Sequence, residues 1–251
     1  MFTDTHCHLY KEYYSDISNV INKSIKEGVS LFINNGVDSK TNIEVIDLVS
    51  KYKCIYGALG IHPEAVNNYQ DEDIKYIEDN LSNPKIIAIG EIGLDYHYGI
   101  DNKEEQIILL RRQLDLAQKH NKPVIIHSRD ANDDMLNILN NYNITGVIHS
   151  FSGDLDIAQK FIKKGFLIGI NGIITFHNSN LSSVVKELPL ESILLETDSP
   201  YLSPVPYRGS QNYPGNVLEI AKYISKLKNI SLEELSNITN NNVKKMFNVE
   251  S

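Results

Sequence analysis

Eight short β-prone runs recur along the chain: MFTDTH from residue 1, SLFINNG from 30, CIYGALG from 54, KIIAIG from 85, PVIIH from 123, TGVIHS from 145, GFLIGI from 165 and SILLET from 192. Each is bounded by turn residues or by a stretch of helical spacing. The clearest helical stretch is EEQIILLRRQLDLAQKH, where Ile107, Leu110, Leu114 and Ala117 line one face. A second is NVLEIAKYISKL, with Val217, Ile220, Ala221, Ile224 and Leu227 on one stripe, and Ser231 with Glu234 forms the pattern of a capping box that starts one more short helix. Strict alternation of strand and helix implies parallel strands, because each crossover must return the chain to the edge where it began. Eight units in 251 residues fit a closed (β/α)8 barrel as a single domain over residues 1–251, with extra helices at the C-terminal end. The competing open, doubly wound sheet normally carries a glycine-rich phosphate loop after its first strand, and none is present.

Composition narrows the classes. Hydrophobic residues are 41% and charged residues 22%, an ordinary globular balance that permits a sizeable core. No run approaches the roughly 20 apolar residues of a membrane span, and no basic segment leads into an apolar one, so the cytoplasm is the expected compartment and no membrane partner is expected. The two cysteines, Cys7 and Cys54, are too few for a disulfide scaffold and are expected as reduced thiols. A formal net charge of −8 argues against a broad basic surface wrapped by nucleic acid, while leaving room for a nucleic-acid end gripped at a metal site. No obligate protein partner is indicated.

In a barrel enzyme the chemistry lies where strands run into their following loops. Those positions hold His6 and His8 on the first strand, His62 in GIHP, Glu91 in GEIGLDYH, His127 on the fifth strand, His149 on the sixth, and Glu196 with Asp198 on the eighth. Alternation along a strand sends His6 and His8 the same way, into the barrel mouth, and sends Cys7 outward as a small buried hydrophobe. The same rule puts Glu196 and Asp198 on one face. Imidazoles and carboxylates aimed at one point hold divalent ions, and two ions about 3.5 to 4 Å apart need a carboxylate between them. Glu91 is the natural bridge: one ion would take His6, His8, Glu91 and Asp198, the other Glu91, His127 and His149. Asp198 is then placed to accept or orient a proton from an activated water, and hydrolysis is the expected reaction class.

Each residue also has a plainer explanation. A lone His-x-His is weak evidence, a single buried carboxylate is sometimes structural, and a lone histidine often caps a strand. His62 fits either support of the site or direct substrate contact. His120 reads as a favourable charge at a helix end, and His97 and His177 as loop residues. Arg129 in HSRDA and Arg208 in PYRG fit either a phosphate clamp or a loop-fixing charge. The fragment SPYLSPVPYRG, with three prolines, reads as a long loop after the last strand.

The segments TDTHCHL, GIHP, GEIGLDYH, PVIIHSRDA, IHSFSG and LETDSPYLSPVPYRG resemble, in order and spacing from residue 3 to about 216, the successive motifs of the TatD family of metal-dependent hydrolases. The resemblance implies a TIM-type barrel of the amidohydrolase-like kind. It implies a two-metal site with His6, His8, Glu91, His127, His149 and Asp198 as ligands, and Glu196 and His62 close by. It also implies deoxyribonuclease activity, often trimming single strands from an end. Tyr10 stands where the family commonly has an acidic residue, and Ser210 and Gln211 where basic residues often follow, which weakens the expected pull on phosphate. Tyr10, Tyr201 and Tyr207 fit either base stacking or loop packing.

Three functions remain open at this point: a two-metal nuclease of DNA ends, a metal-dependent ester or amide hydrolase such as a D-aminoacyl-tRNA deacylase, and a noncatalytic binding protein on a retained barrel. The third does not require every ligand, and none is missing. The mixed donor set suits zinc first and also accepts manganese, cobalt, nickel or iron, with magnesium less typical of so many histidines.

Overall fold

The computed structural model describes residues 1–249, so the last two residues of the expected 1–251 domain lie outside the described residues. Strands and helices alternate throughout: β1 (Phe2–Cys7), α1 (Ile17–Lys26), β2 (Val29–Asn35), α2 (Ser39–Lys51), β3 (Ile55–Leu59), α3 (Asp71–Asn80), β4 (Ile86–Asp95), α4 (Lys103–His120), β5 (Val124–Arg129), α5 (Asn132–Leu139), β6 (Gly146–Ile148), α6 (Leu155–Lys163), β7 (Phe166–Ile170), α7 (Leu181–Glu187), β8 (Ile193–Leu195), α8 (Val217–Lys228) and α9 (Leu232–Phe247). The strands pair in parallel in sequence order. Closure from β8 to β1 runs through Thr5 Oγ1 donating to Leu195 O (3.0 Å), Asp198 N to His6 O (2.9 Å) and His8 N to Ser199 O (2.8 Å). The eight-stranded (β/α) barrel is thus nearly closed.

Local chemistry explains the element ends. Asp38, Asp154 and Ser231 side chains accept the backbone N–H of residues three further on, which satisfies donors that a helix start leaves orphaned. Asn121, Asn229 and Asn248 close α4, α8 and α9 in the left-handed conformation that Asn tolerates. The stripe on α8 buries Val217, Ile220, Ala221 and Ile224, with Leu227 half-buried. Cys7 is buried in the layer between strands and helices.

Two apolar cores result. The larger lies between the strands and the helical ring. The smaller fills the barrel itself, with Leu31, Ile33, Ile125, Val147 and Leu194 meeting Val243, Phe247 and Val249 at the C-terminal end of the chain. Each such side chain contributes roughly 1.5–3 kcal/mol when fully buried. The end of α9 and Val249 therefore plug the floor of the barrel, and Asn240 Nδ2 donates to Met1 O (2.7 Å) beside the start of β1. Among the described residues no helix is long and apolar enough to cross a membrane.

Four strands differ from the sequence expectation: β1 ends at Cys7 and β6 at Ile148, which leaves His8 and His149 one residue beyond them. β4 does not stop at Gly90 but pairs onward with β5 as far as Asp95 opposite Arg129. Gly93 permits this, since a Cβ there would run into the His127 backbone. β8 ends at Leu195, so Glu196 and Asp198 sit on the irregular segment beyond it.

Candidate metal centre

Glu91 occupies the middle of the C-terminal rim, and its two oxygens face two different sets of side chains. Oε2 lies 3.1 Å from His6 Nε2 and 3.5 Å from His8 Nε2, and Asp198 Oδ1 approaches the same pair at 3.8 and 3.5 Å. Oε1 lies 3.0 Å from His127 Nδ1, 3.0 Å from His149 Nε2 and 3.5 Å from His62 Nε2. His6 and His8 reach the cluster through strand alternation, as expected. Asp198 does so differently: its φ of 55° breaks the extended path and turns the carboxylate back toward β1. Glu196 lies on the other side of the cluster, its Oε1 accepting the Ser150 N–H and standing 3.4 Å from His149 Nδ1. Gly169 leaves room for that carboxylate, which a Cβ would strike.

Further residues orient this set. Asp95 Oδ2 stands 2.9 Å from His127 Nε2, and His8 Nδ1 faces both Asn35 O and the Tyr10 hydroxyl at 3.1 Å. Sequence reasoning missed Asp95 because β4 was taken to end at Gly90; extending the two-residue alternation from Glu91 reaches it. Below the rim, Asp4 accepts from Thr197 N (2.8 Å) and Thr197 Oγ1 (2.6 Å), tying β1 to the segment that carries Glu196 and Asp198. Three amide side chains grip the backbone near the strand ends. Asn42 brackets Gly60, Gln113 brackets Ile61 next to His62, and Gln106 brackets Asp95.

The electrostatics are those of a cation site. Burial pushes the Glu91 carboxyl up, but His149, His6 and His62 outweigh it and hold it well below the usual carboxylate range. Asp198 is also held low: burial opposes ionisation, and the His8 hydrogen bond overcomes it. Burial and then His149 push His6 down, while burial and then His127 push His62 down. His8, His127 and His149 are all raised despite burial, by Asp198, by Asp95 with Glu91, and by Glu91 with Glu196 respectively. The cluster therefore draws positive charge to itself. Nitrogen and oxygen acceptors turned toward one another, such as His6 Nε2 and His8 Nε2 at 3.2 Å, are a donor set that a divalent cation satisfies. His6, His8 and Asp198 form one such group and His62, Glu91 and His127 another; His6 and His149 also form one with Glu196. Buried Glu196 Oε2, His6 Nδ1 and His149 Nδ1 have no hydrogen-bond partner, which marks this rim as polar beyond what its own side chains satisfy.

A cavity of about 770 Å³ opens above the cluster, lined by His8, His62, Glu91, His127, His149 and Asp198 among others. Arg129 lines it, its Nη1 4.0 Å from Asp95 Oδ2. Arg208 does not: its guanidinium lies 3.7 Å over the Phe176 ring on the exposed loop. His120 closes α4 and pairs with Glu78 at 3.0 Å, and His97 Nδ1 lies 3.1 Å from Asp130.

Known proteins share this architecture. The family described as TatD related DNase matches residues 3–248. The metal-dependent hydrolase YabD of Bacillus subtilis (strain 168) is 37% identical, over 99% of this chain and 100% of that protein. The metal-dependent hydrolase YcfH of Escherichia coli (strain K12) is 34% identical, over 99% of this chain and 96% of that one. The crystal structure of YjjV, a TatD homologue from E. coli K12, superposes with a TM-score of 0.94 at 32% identity, covering 99% of this chain and 98% of that one. On this whole-length match the chain belongs to the TatD-related DNase family and is a metal-dependent hydrolase.

Proposed function

We propose that the protein is a deoxyribonuclease that hydrolyses DNA phosphodiester bonds, working from single-stranded ends, with two divalent ions of which zinc suits the donors best. The observation that carries this reading is the split allegiance of Glu91, one oxygen toward His6 and His8 and the other toward His127 and His149. That is the arrangement a bridging carboxylate needs. His6, His8 and Asp198 would complete one ion's ligands and His127 and His149 the other's, with His62 close enough to join the second. Such ions, when bound, supply the positive charge that offsets phosphate and activate a water for attack.

The chain's own groups then have separate tasks. Asp198 lines the cavity and is ionised well into the acid range, so its carboxylate can accept and orient the proton of the attacking water. Asp95 holds the His127 ring in fixed orientation, and Glu196 places a carboxylate 3.4 Å from His149 Nδ1. Arg129 offers a guanidinium to a non-bridging phosphate oxygen. The cytoplasm fits two cysteines that remain free thiols.

The test is purified protein with manganese, zinc or magnesium and an end-labelled single-stranded oligonucleotide. Stepwise shortening, abolished in Glu91→Ala, is the expected result. No cleavage with any metal, alongside turnover of aminoacyl esters or amides, overturns the nuclease reading.

A further inference from the structure

We infer that the cavity takes only the last one or two nucleotides of a strand, holding them by tyrosine faces and a single guanidinium instead of drawing a long backbone along a cationic groove. This rests on the nuclease reading and specifies its substrate.

Arg129 is the only lysine or arginine among the described residues that line the cavity, whereas Asp38 and Glu64 add negative charge to its wall. The chain charge is −8 and the Arg208 guanidinium is stacked on Phe176, which leaves Arg129 as the single cation that the described lining residues offer a polyanion. Electrostatic tracking of single strands depends on such a run.

The mouth offers aromatic surface instead. Tyr98, on the loop after β4, lines the cavity, is 79% exposed and has the Arg129 guanidinium 5.4 Å from its ring centre. Tyr201, on the loop after β8, lines the cavity and is 50% exposed, its hydroxyl 2.7 Å from that of Tyr13. In the strand order β4 and β8 are half a barrel apart, so the two tyrosines belong to opposite walls with the metal cluster between them. Ring contacts at 6.3 Å from His8 to Tyr201 and 5.8 Å from Tyr201 to Tyr13 lead from the cluster outward. A volume of about 770 Å³ falls within the roughly 300–1,000 Å³ of small-ligand sites.

The test compares kcat and KM for a dinucleotide, a tetranucleotide, a thirty-mer and an abasic tetranucleotide, with bis(nitrophenyl) phosphate as a plain diester. Between about 50 and 200 mM salt, one or two phosphate contacts predict only about a three- to sevenfold loss of kcat/KM, against several hundredfold for six contacts. Tyr98→Ala and Tyr201→Ala are expected to raise KM roughly 5- to 150-fold per lost stack with kcat little changed, and Tyr98→Phe to restore it. The abasic substrate should bind the unaltered protein as poorly as the base-bearing one binds the alanine variants. Melting temperatures equal to that of the unaltered protein establish that the variants fold. A steep salt dependence, affinity that climbs with length to the thirty-mer, or tyrosine variants without effect would overturn the inference while leaving the nuclease reading intact. Failure to turn over any oligonucleotide or the plain diester overturns the nuclease reading, and this inference with it.

Discussion

The floor and the rim of the barrel are made by the same strands, two residues apart, and they are opposites. On β5 Ile125 packs in the apolar plug while His127 faces Glu91; on β6 and its extension the pair is Val147 and His149; on β8 and its extension it is Leu194 and Glu196. The floor is complete in itself, because the end of α9 supplies Val243 and Phe247 to meet it. The rim is not. It gathers imidazoles and carboxylates where desolvation penalises uncompensated charge. Strand alternation lets one element serve both ends, so stability can concentrate below and reactivity above without either compromising the other.

The largest separation of the two halves is expected from Glu91→Ala. Losing the shared carboxylate removes several kcal/mol of charge stabilisation, so kcat should fall at least about 10³-fold with loss of bound metal, measured by steady-state kinetics and metal analysis. Far-ultraviolet circular dichroism should stay that of a folded barrel. Phe247→Ala should do the reverse. The cavity it leaves costs about 3–5 kcal/mol, lowering the thermal midpoint by roughly 10 °C, with the metal content of the folded fraction unchanged. If metal content fell in proportion, floor and rim would be one cooperative unit and the contrast would fail. Asp95→Asn should reduce metal affinity or activity about 10- to 100-fold by releasing the His127 ring, with little effect on melting of the metal-free protein.

A further effect concerns protons. His8, His127 and His149 are raised above the ordinary value of 6.5, so in metal-free protein they contribute stability that is present below 6.5 and lost as pH rises through their raised values. A metal must displace those protons, so its apparent affinity should fall by about tenfold per pH unit for each proton displaced as the solution is acidified. Metal titrations at stepped pH, monitored by calorimetry, measure this directly. An affinity flat across that range would mean that these rings are neutral before metal arrives.

The rim was more legible in the sequence than the parts that hold it in place. His6-x-His8, Glu91, His127, His149 and Asp198 announce themselves because each stands at or just beyond a short β-prone run, and alternation then aims several of them inward. Asp95 was hidden by a strand taken as too short. Asn42, Gln106 and Gln113 were hidden because amides on a helix read as solvent-facing, whereas here they replace backbone partners at strand ends. Asp198 reaches its place through a left-handed turn that no alternation rule contains. The capping pair Ser231 and Glu234 pointed to a short final helix. Ser231 does cap α9, but the helix runs on to Phe247, and its polar-rich sequence gave no sign that its far end enters the barrel.

That last helix also has a double task. α9 seals the interior and is fastened to the backbone of Met1, so one helix both closes the cylinder and anchors the start of the strand that carries His6.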